Sequence, residues 1–280
     1  CRYGGTFVAE LLVYDYRIAV KNVTRKKIYQ FSDTHLVEWD ELSSAEEKEK
    51  ASARTEHWKS LRFGFARSYG EPCGEAQALP AKTFFEALLE KSKEADALIM
   101  AGDIIDFDTE ANTRIMEKAM NNYPVPYLSL CGNHDEPDKL PEGHPMKAAG
   151  QPVQKLDLGD MVILGFDNSQ RVITAEQIGI LQSTLQEDKP VLIAMHIPIM
   201  TEGNRELLQK CGEYFQLNYQ DCPKENIAFI ETIRENADKV IAVTCGHLHF
   251  NNVSEICPGV MQYVSSQGLI GSLSVYDIGE

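Results

Sequence analysis

Five short strand-like runs in this chain each stop at aspartate, asparagine or histidine, and that repeated ending constrains the fold more than any other feature. Residues 27–32 lead into Asp33-Thr34-His35, residues 97–101 into Gly102-Asp103-Ile104-Ile105-Asp106, and residues 126–130 into Gly132-Asn133-His134-Asp135. Residues 190–195 lead into His196, and residues 239–244 into Gly246-His247-Leu248-His249. Short runs of aliphatic, aromatic and β-branched residues bounded by turn formers read as strands. Helical patterns lie between them. Phe84, Phe85, Leu88 and Leu89 repeat at helical spacing in residues 82–95, and residues 109–121, 174–185 and 225–236 also read as helices. Strands alternating with helices predict a parallel or mixed sheet, and in such sheets ligands gather at the carboxyl ends of the strands. Five of the seven histidines fall at these ends.

The remaining segments fill in the architecture. Residues 6–20, rich in β-branched and aromatic side chains, read as one or two edge strands, with a hairpin as one arrangement. Residues 36–80 form a long polar stretch whose charge run at 46–50 predicts an exposed helix and whose end, at 71–75, predicts a turn. Residues 161–166 read as a strand. The short strands at 253–256, 261–264 and 273–276 have no helices between them, which implies a second sheet. A chain of 280 residues with 43% hydrophobic content buries a core without disulfide staples. The reading is one α/β domain over residues 1–280 with two stacked sheets, edge strands at 6–20 and a lid candidate at 36–80.

Composition excludes several classes. The longest apolar run, residues 191–200, contains His196 and falls far short of the roughly 18 residues of a membrane span. The formal charge of -15, from 42 acidic against 27 basic residues, repels the phosphate backbone and argues against sequence-blind nucleic-acid binding. Phosphate chemistry stays open, because bound divalent ions supply positive charge locally. Seven cysteines without zinc-finger or C-x-x-C spacing fit a reduced, cytoplasmic setting. Cys211 and Cys222 could pair if the protein were exported. Residue 1 is Cys1, not methionine, which reads as a trimmed or processed start. A lipid-modified cysteine, with membrane association or export through a missing segment, is the alternative.

Asp33, His35, Asp103, Asn133, His196, His247 and His249 are carboxylate, imidazole and amide donors suited to borderline divalent metals. One ion rarely takes seven protein ligands, whereas two ions sharing a carboxylate use them all. In an extended segment Asp-x-His and His-x-His side chains point the same way. Each cluster alone has a plainer reading: a helix cap, an Asn-rich turn or a satisfied core histidine. Five in a row, each at a strand end, argue against coincidence.

The series Asp-x-His, Gly-Asp-x-x-Asp, Gly-Asn-His-Asp, a single His and Gly-His-x-His resembles the calcineurin-like metallophosphoesterase superfamily, from about Lys27 to the C terminus. The resemblance implies a four-layered α/β/β/α sandwich with two stacked mixed β-sheets. It implies two divalent ions, from manganese, iron and zinc. Asp33, His35, Asp103 and His249 would hold one and Asp103, Asn133, His196 and His247 the other, with Asp103 bridging. The implied reaction is hydrolysis of a small phosphate ester by a hydroxide held between the ions. His134 is similar to the family histidine placed over the substrate as a proton donor, and Asp106 would orient it.

Departures from the family's branches narrow the reading. Phe107 and Cys131 stand where the Ser/Thr protein phosphatases carry arginines. Asp106 stands at the tyrosine place of purple acid phosphatases, which lack the histidine present here as His35. The chain looks like the bacterial-type phosphohydrolases, including class III cyclic-nucleotide phosphodiesterases and membrane-associated relatives, which residues 14–23 also resemble. Missing clamps favour a singly charged diester over a monoester. A phosphomonoesterase and a non-catalytic metal-binding scaffold are the alternatives. Trp39, His57, Trp58, Arg62 and Arg67 are lid residues by this reading, with Arg62 or Arg67 as replacement clamps. In the loop 201–223, Asn204, Arg205, Tyr214, Phe215 and Tyr219 either pack the loop or contact substrate, the aromatics by stacking on a base. Arg171 is a further candidate for phosphate contact, and His57 and His144 have no assigned chemistry.

Overall fold

A computed structural model describes residues 9–107, 109–211 and 223–280, for Cys211 the backbone alone. Its strands are β1 (Leu12–Ile18), β2 (Lys26–Phe31), β3 (Ala97–Ala101), β4 (Tyr127–Leu130), β5 (Val153–Asp157), β6 (Val162–Phe166), β7 (Val191–Met195), β8 (Val240–Cys245), β9 (Asn252–Cys257), β10 (Val260–Val264) and β11 (Ser272–Ile278). They form two mixed sheets, ordered β1-β11-β2-β3-β4 and β5-β6-β7-β8-β10-β9. The helices are α1 (Ala45–Ser68), α2 (Ala81–Ser92), α3 (Glu110–Met120), α4 (Ala175–Leu185), α5 (Arg205–Cys211) and α6 (Lys224–Glu235).

The unbroken apolar runs at 97–101 and 191–195 follow from burial on both faces, as parallel strands between helices and a second sheet require. In β3, Ile99 faces the other sheet, where it joins Ile28, Leu128, Ile163, Leu192 and Tyr276. Its neighbours Leu98 and Met100 face outward to Phe85 and Leu88 of α2 and Met116 of α3. On the far side, Leu164 and Ile193 meet Ile178 and Leu181 of α4 and Phe229 and Ile233 of α6. The result is four layers, α/β/β/α.

Two local readings are corrected. The C-terminal strands do not make a sheet of their own: β9 and β10 extend the sheet of β6–β8, while β11 inserts between β1 and β2 of the other. Pattern alone cannot assign a sheet, because β11 buries Leu273 and Val275 outward and Tyr276 and Ile278 inward, as a central strand of either sheet would. Among the described residues, the 6–20 segment holds one strand, β1, which runs parallel to β11 and forms no hairpin. The polar edge strand β5 and the seven-residue α5 carried too little periodicity to be read. No helix among the described residues is long and apolar enough to cross a membrane.

Helix α1 occupies the polar stretch. Ser44 and Glu47 form a capping box at its start, satisfying backbone N–H groups that would otherwise lack partners. Only Ala51, Trp58, Arg62 and Ala66 of its residues are buried, so it is held by one narrow stripe and not by a broad apolar face.

Candidate metal centre

The segments leaving β2, β3, β4, β7 and β8 converge at one end of the sandwich. Asp33 N–H donates to the Gly102 carbonyl at 3.0 Å, His35 N–H to the Asp103 carbonyl at 3.0 Å, and Gly246 N–H to the His196 carbonyl at 3.0 Å. These bonds carry strand pairing into the loops. The backbone there is not extended, as the Asp-x-His and His-x-His spacing suggested. Asp33 (φ 54°), His35 (43°), Asp103 (52°), His247 (74°) and His249 (62°) all lie in the left-handed region. Side chains other than glycine enter that region at a cost of order 1–3 kcal/mol each, and such strain concentrates at functional sites. Left-handed turns, not strand alternation, gather these side chains.

Glycines permit the approach. A Cβ on Gly246 would lie 2.5 Å from Ser32 Oγ and 2.8 Å from Asp33 Oδ2, and one on Gly102 would lie 2.5 Å from His196 Nδ1.

Six of the seven expected donors stand in two groups, Asp33 with His35 and His249, and Asp103 with His196 and His247, and a third group joins His35 and Asp103 to His134. In the first, His249 Nε2 lies 3.3 Å from Asp33 Oδ1 and 3.1 Å from His35 Nε2. In the second, His196 Nε2 lies 3.3 Å from Asp103 Oδ2 and 3.1 Å from His247 Nδ1. The same Asp103 Oδ2 is 3.9 Å from His35 Nε2, between the groups. Asn133, the seventh, lines the adjoining cavity of about 200 Å³ beside Asp103 and His247.

The hydrogen bonds at the rear of two imidazoles set their tautomers. His196 Nδ1 is 2.7 Å from the Ala101 carbonyl, and His35 Nδ1 is 3.2 Å from Asp106 Oδ1. Both partners only accept, so each Nδ1 carries a proton and each Nε2 is the atom turned toward the site, where a bound ion would take the place of any proton. Burial lowers the pKa of His35 against the pull of Asp106, which keeps it neutral. Burial also opposes ionisation of Asp33, but His249 beside it prevails and holds the carboxyl at about 2. Asp103 is held well below the usual range, where His196 outweighs burial. His196 in turn is pushed up to about 9, Asp103 outweighing its burial, while burial and His196 push His247 down to about 3. Asp33 Oδ1 is fully buried and faces His249 Nε2 at 3.3 Å. Carboxylates and lone pairs packed this closely call for positive charge at their centre, which a divalent ion supplies. The donor set, with no thiolate, fits hard to borderline ions.

Asp106 lies behind the first group and receives more than its expected partner. His134 Nδ1 and His35 Nδ1 each lie 3.2 Å from its Oδ1. Arg54 holds it in a fork at 2.6 and 2.7 Å, and Trp58 Nε1–H donates to it at 2.9 Å. These donors outweigh burial and hold the carboxyl far below its ordinary pKa. Arg54 was not read from sequence; its signal was its place one turn before Trp58 on a helix whose buried stripe faces the site. Asp135 was missed as well. Its carboxylate accepts the N–H groups of Asp103 (2.7 Å), Gly132 (2.9 Å) and Ile105 (3.0 Å), tying two of the loops together. Burial beside Asp103 raises it to about 6. Glu71 joins Tyr14 of β1 to the backbone of Asn251, just after His249.

Other expectations fare differently. Arg62 is buried and donates to the carbonyls of Ala78, Leu79 and Leu269, so it is a structural tie and not a phosphate clamp. Arg67 and Arg171 are exposed, and neither lines the cavity. Trp39 is half exposed, with Lys48 over its ring. His57 packs edge-on against Trp58. His144 is buried, its Nδ1 accepting the Met146 N–H at 3.1 Å. Asn204 caps its own loop through Thr201 and the Ile199 carbonyl, and Arg205 pairs with Glu202. Tyr214, Phe215, Tyr219 and the Cys211–Cys222 pair lie outside the residues or side chains described.

Stacked mixed sheets collect buried carboxylates and imidazoles at the strand ends in groups that could hold metal ions. Residues 26–251 match the model of the calcineurin-like phosphoesterase family, and the chain belongs to that family. A relative named "Probable cyclic nucleotide phosphodiesterase" from a Synechococcus strain is 24% identical over 165 residues, 57% of this chain. The match spans 60% of that relative's length. The crystal structure of a dimetal phosphatase from Danio rerio shares the fold at a TM-score of 0.58 and 10% identity, covering 88% of each chain.

Proposed function

We propose that the chain hydrolyses small phosphodiesters at a two-ion centre built on Asp33, His35, Asp103, Asn133, His196, His247 and His249. The position of Asp103 Oδ2, facing His196 at 3.3 Å and His35 at 3.9 Å, carries this reading. Two divalent ions, when bound, supply Lewis-acid activation of water and of the phosphoryl oxygens.

The chain's own residues hold the ester and move the proton. His134 lines the cavity with its side chain about a third exposed, and its backbone N–H is bound to Asp103 Oδ1 at 2.8 Å. Burial works against its positive charge, but Asp106 prevails and its pKa is raised. Asp106 can only accept from Nδ1–H, so Nε2–H is left to protonate the leaving oxygen. Arg54 compensates the charge of Asp106 without entering the cavity.

Among the described residues, no lysine or arginine lines the cavity. Phe107 and Cys131 are buried, and Arg62 is committed to carbonyls. A monoester dianion therefore lacks the extra cationic contacts that suit it, whereas a diester carries one charge and depends more on a proton donor. The relative's printed name points the same way. After correction for intrinsic reactivity, kcat/KM is expected to be higher on bis(4-nitrophenyl) phosphate than on 4-nitrophenyl phosphate with manganese present. A clear monoester preference reverses the assignment.

The proton-donor role has its own signature. General acids contribute about 10²–10⁴-fold. His134→Ala is expected to lose activity in that range on alkyl diesters, whose leaving groups need a proton, and much less on 4-nitrophenyl esters. Equal losses on both would remove the role from His134.

A further inference from the structure

We propose that Trp58, Leu61 and Phe65 of α1 form a subsite for a flat, uncharged, apolar leaving group of the ester. The inference rests on the phosphoester-hydrolase reading above. The three residues are spaced i, i+3 and i+7, so they share one face of the helix. That face covers the metal centre: the Trp58 ring lies 4.0 Å from that of His35, and the Phe65 ring 5.2 Å from that of His249. The stripe forms one wall of the 200 Å³ cavity, with Asp103, Asn133 and His134 also lining it. The Trp58 and His134 rings are 6.1 Å apart, so an alcohol protonated by His134 leaves beside this wall.

Packing of α1 against the domain accounts for Trp58, which is buried and donates to Asp106, but not for Leu61 and Phe65. Ala51 and Ala66 make the helix's closed contacts and are fully buried. Leu61 and Phe65 are only half-buried and line the cavity. The cavity volume of about 200 Å³ is enough for a phosphoryl group and about one ring. With no lysine or arginine along the lining among the described residues, a second phosphate or carboxylate on the leaving group meets no ammonium or guanidinium partner.

The test uses the full chain loaded with zinc and carrying Trp39→Phe, which leaves Trp58 as the only tryptophan. Phenylphosphonate and methylphosphonate carry the same head group and have no ester to cleave. The ring compound is expected to bind about tenfold tighter and to shift Trp58 emission, and Leu61→Ala/Phe65→Ala should bring the two affinities together. In turnover, methyl 4-nitrophenyl phosphate is compared with methyl 2,2,2-trifluoroethyl phosphate. The variant-to-wild-type ratio of kcat/KM cancels each ester's reactivity, and should fall about tenfold further for the ring ester. Leu61→Phe fills the cavity without removing apolar surface and should shift the ratio the same way, which covers a double variant that fails to fold. Equal affinities for the two phosphonates in the wild type, with equal losses on both esters, overturn the subsite. Wild-type protein that binds neither phosphonate and cleaves neither ester overturns the hydrolase reading, and the subsite with it.

Discussion

Replacing Asp103 by asparagine is expected to leave at most one tightly bound ion per chain and to lower kcat/KM by about a thousandfold, or ~4 kcal/mol of transition-state stabilisation. Asparagine keeps the size of the side chain and tolerates the left-handed backbone at φ 52°. Its carbonyl oxygen can still accept the His134 N–H that now reaches Oδ1 at 2.8 Å. What it lacks is charge, at the one oxygen that faces both ligand groups. A residue holding only one ion would weaken one site. Elemental analysis of the purified variant with circular dichroism separates metal loss from misfolding. Two retained ions with full turnover would end the bridging assignment.

The second large effect is expected at a residue with no side chain. A Cβ on Gly132 would collide with the backbone nitrogen and carboxylate of Asp103, with Cγ at 2.7 Å. Part of that obstruction is the Asp103 backbone nitrogen, already held by the Asp135 carboxylate that binds both Asp103 N–H and Gly132 N–H. Neither loop can yield without breaking that clamp. Gly132→Ala should therefore cost ~1–3 kcal/mol or more in stability and displace Asp103 from the ion positions. Gly64 is the control, since a Cβ there meets nothing within 4 Å on an exposed turn of α1. Gly64→Ala should stabilise by up to ~1 kcal/mol through helix propensity. Denaturant melts and metal content of the two variants decide the matter; equal stability for both would show that the loops at Gly132 are free to move.

The strand ends were legible because each is a local pattern, an apolar run that stops at a polar ligand residue. Burial of β3 and β7 on both faces wrote itself into residues 97–101 and 191–195. The metal-ligand candidates followed from residue type and order. Local pattern could not show which sheet receives β11, because a strand buried on both faces looks alike in either. It predicted extended ligand segments where five residues adopt left-handed turns, since backbone conformation there is imposed by long-range contacts such as His247 N–H to Asp33 Oδ2.

Helix α1 shows the division most plainly. Its charges announced an exposed helix, which it largely is. Which of its few inward side chains touches what depended on residues about fifty positions away. Arg54 and Trp58 meet Asp106, whereas Arg62, on the same helix, meets backbone carbonyls. Residue type and order marked the strand-end ligand candidates, because the chemistry and the burial signal sit in the same few residues. Their left-handed geometry, the partners of Asp106 and the apolar wall beside them emerged with the folded chain, because they depend on contacts between segments that carry no mark of one another.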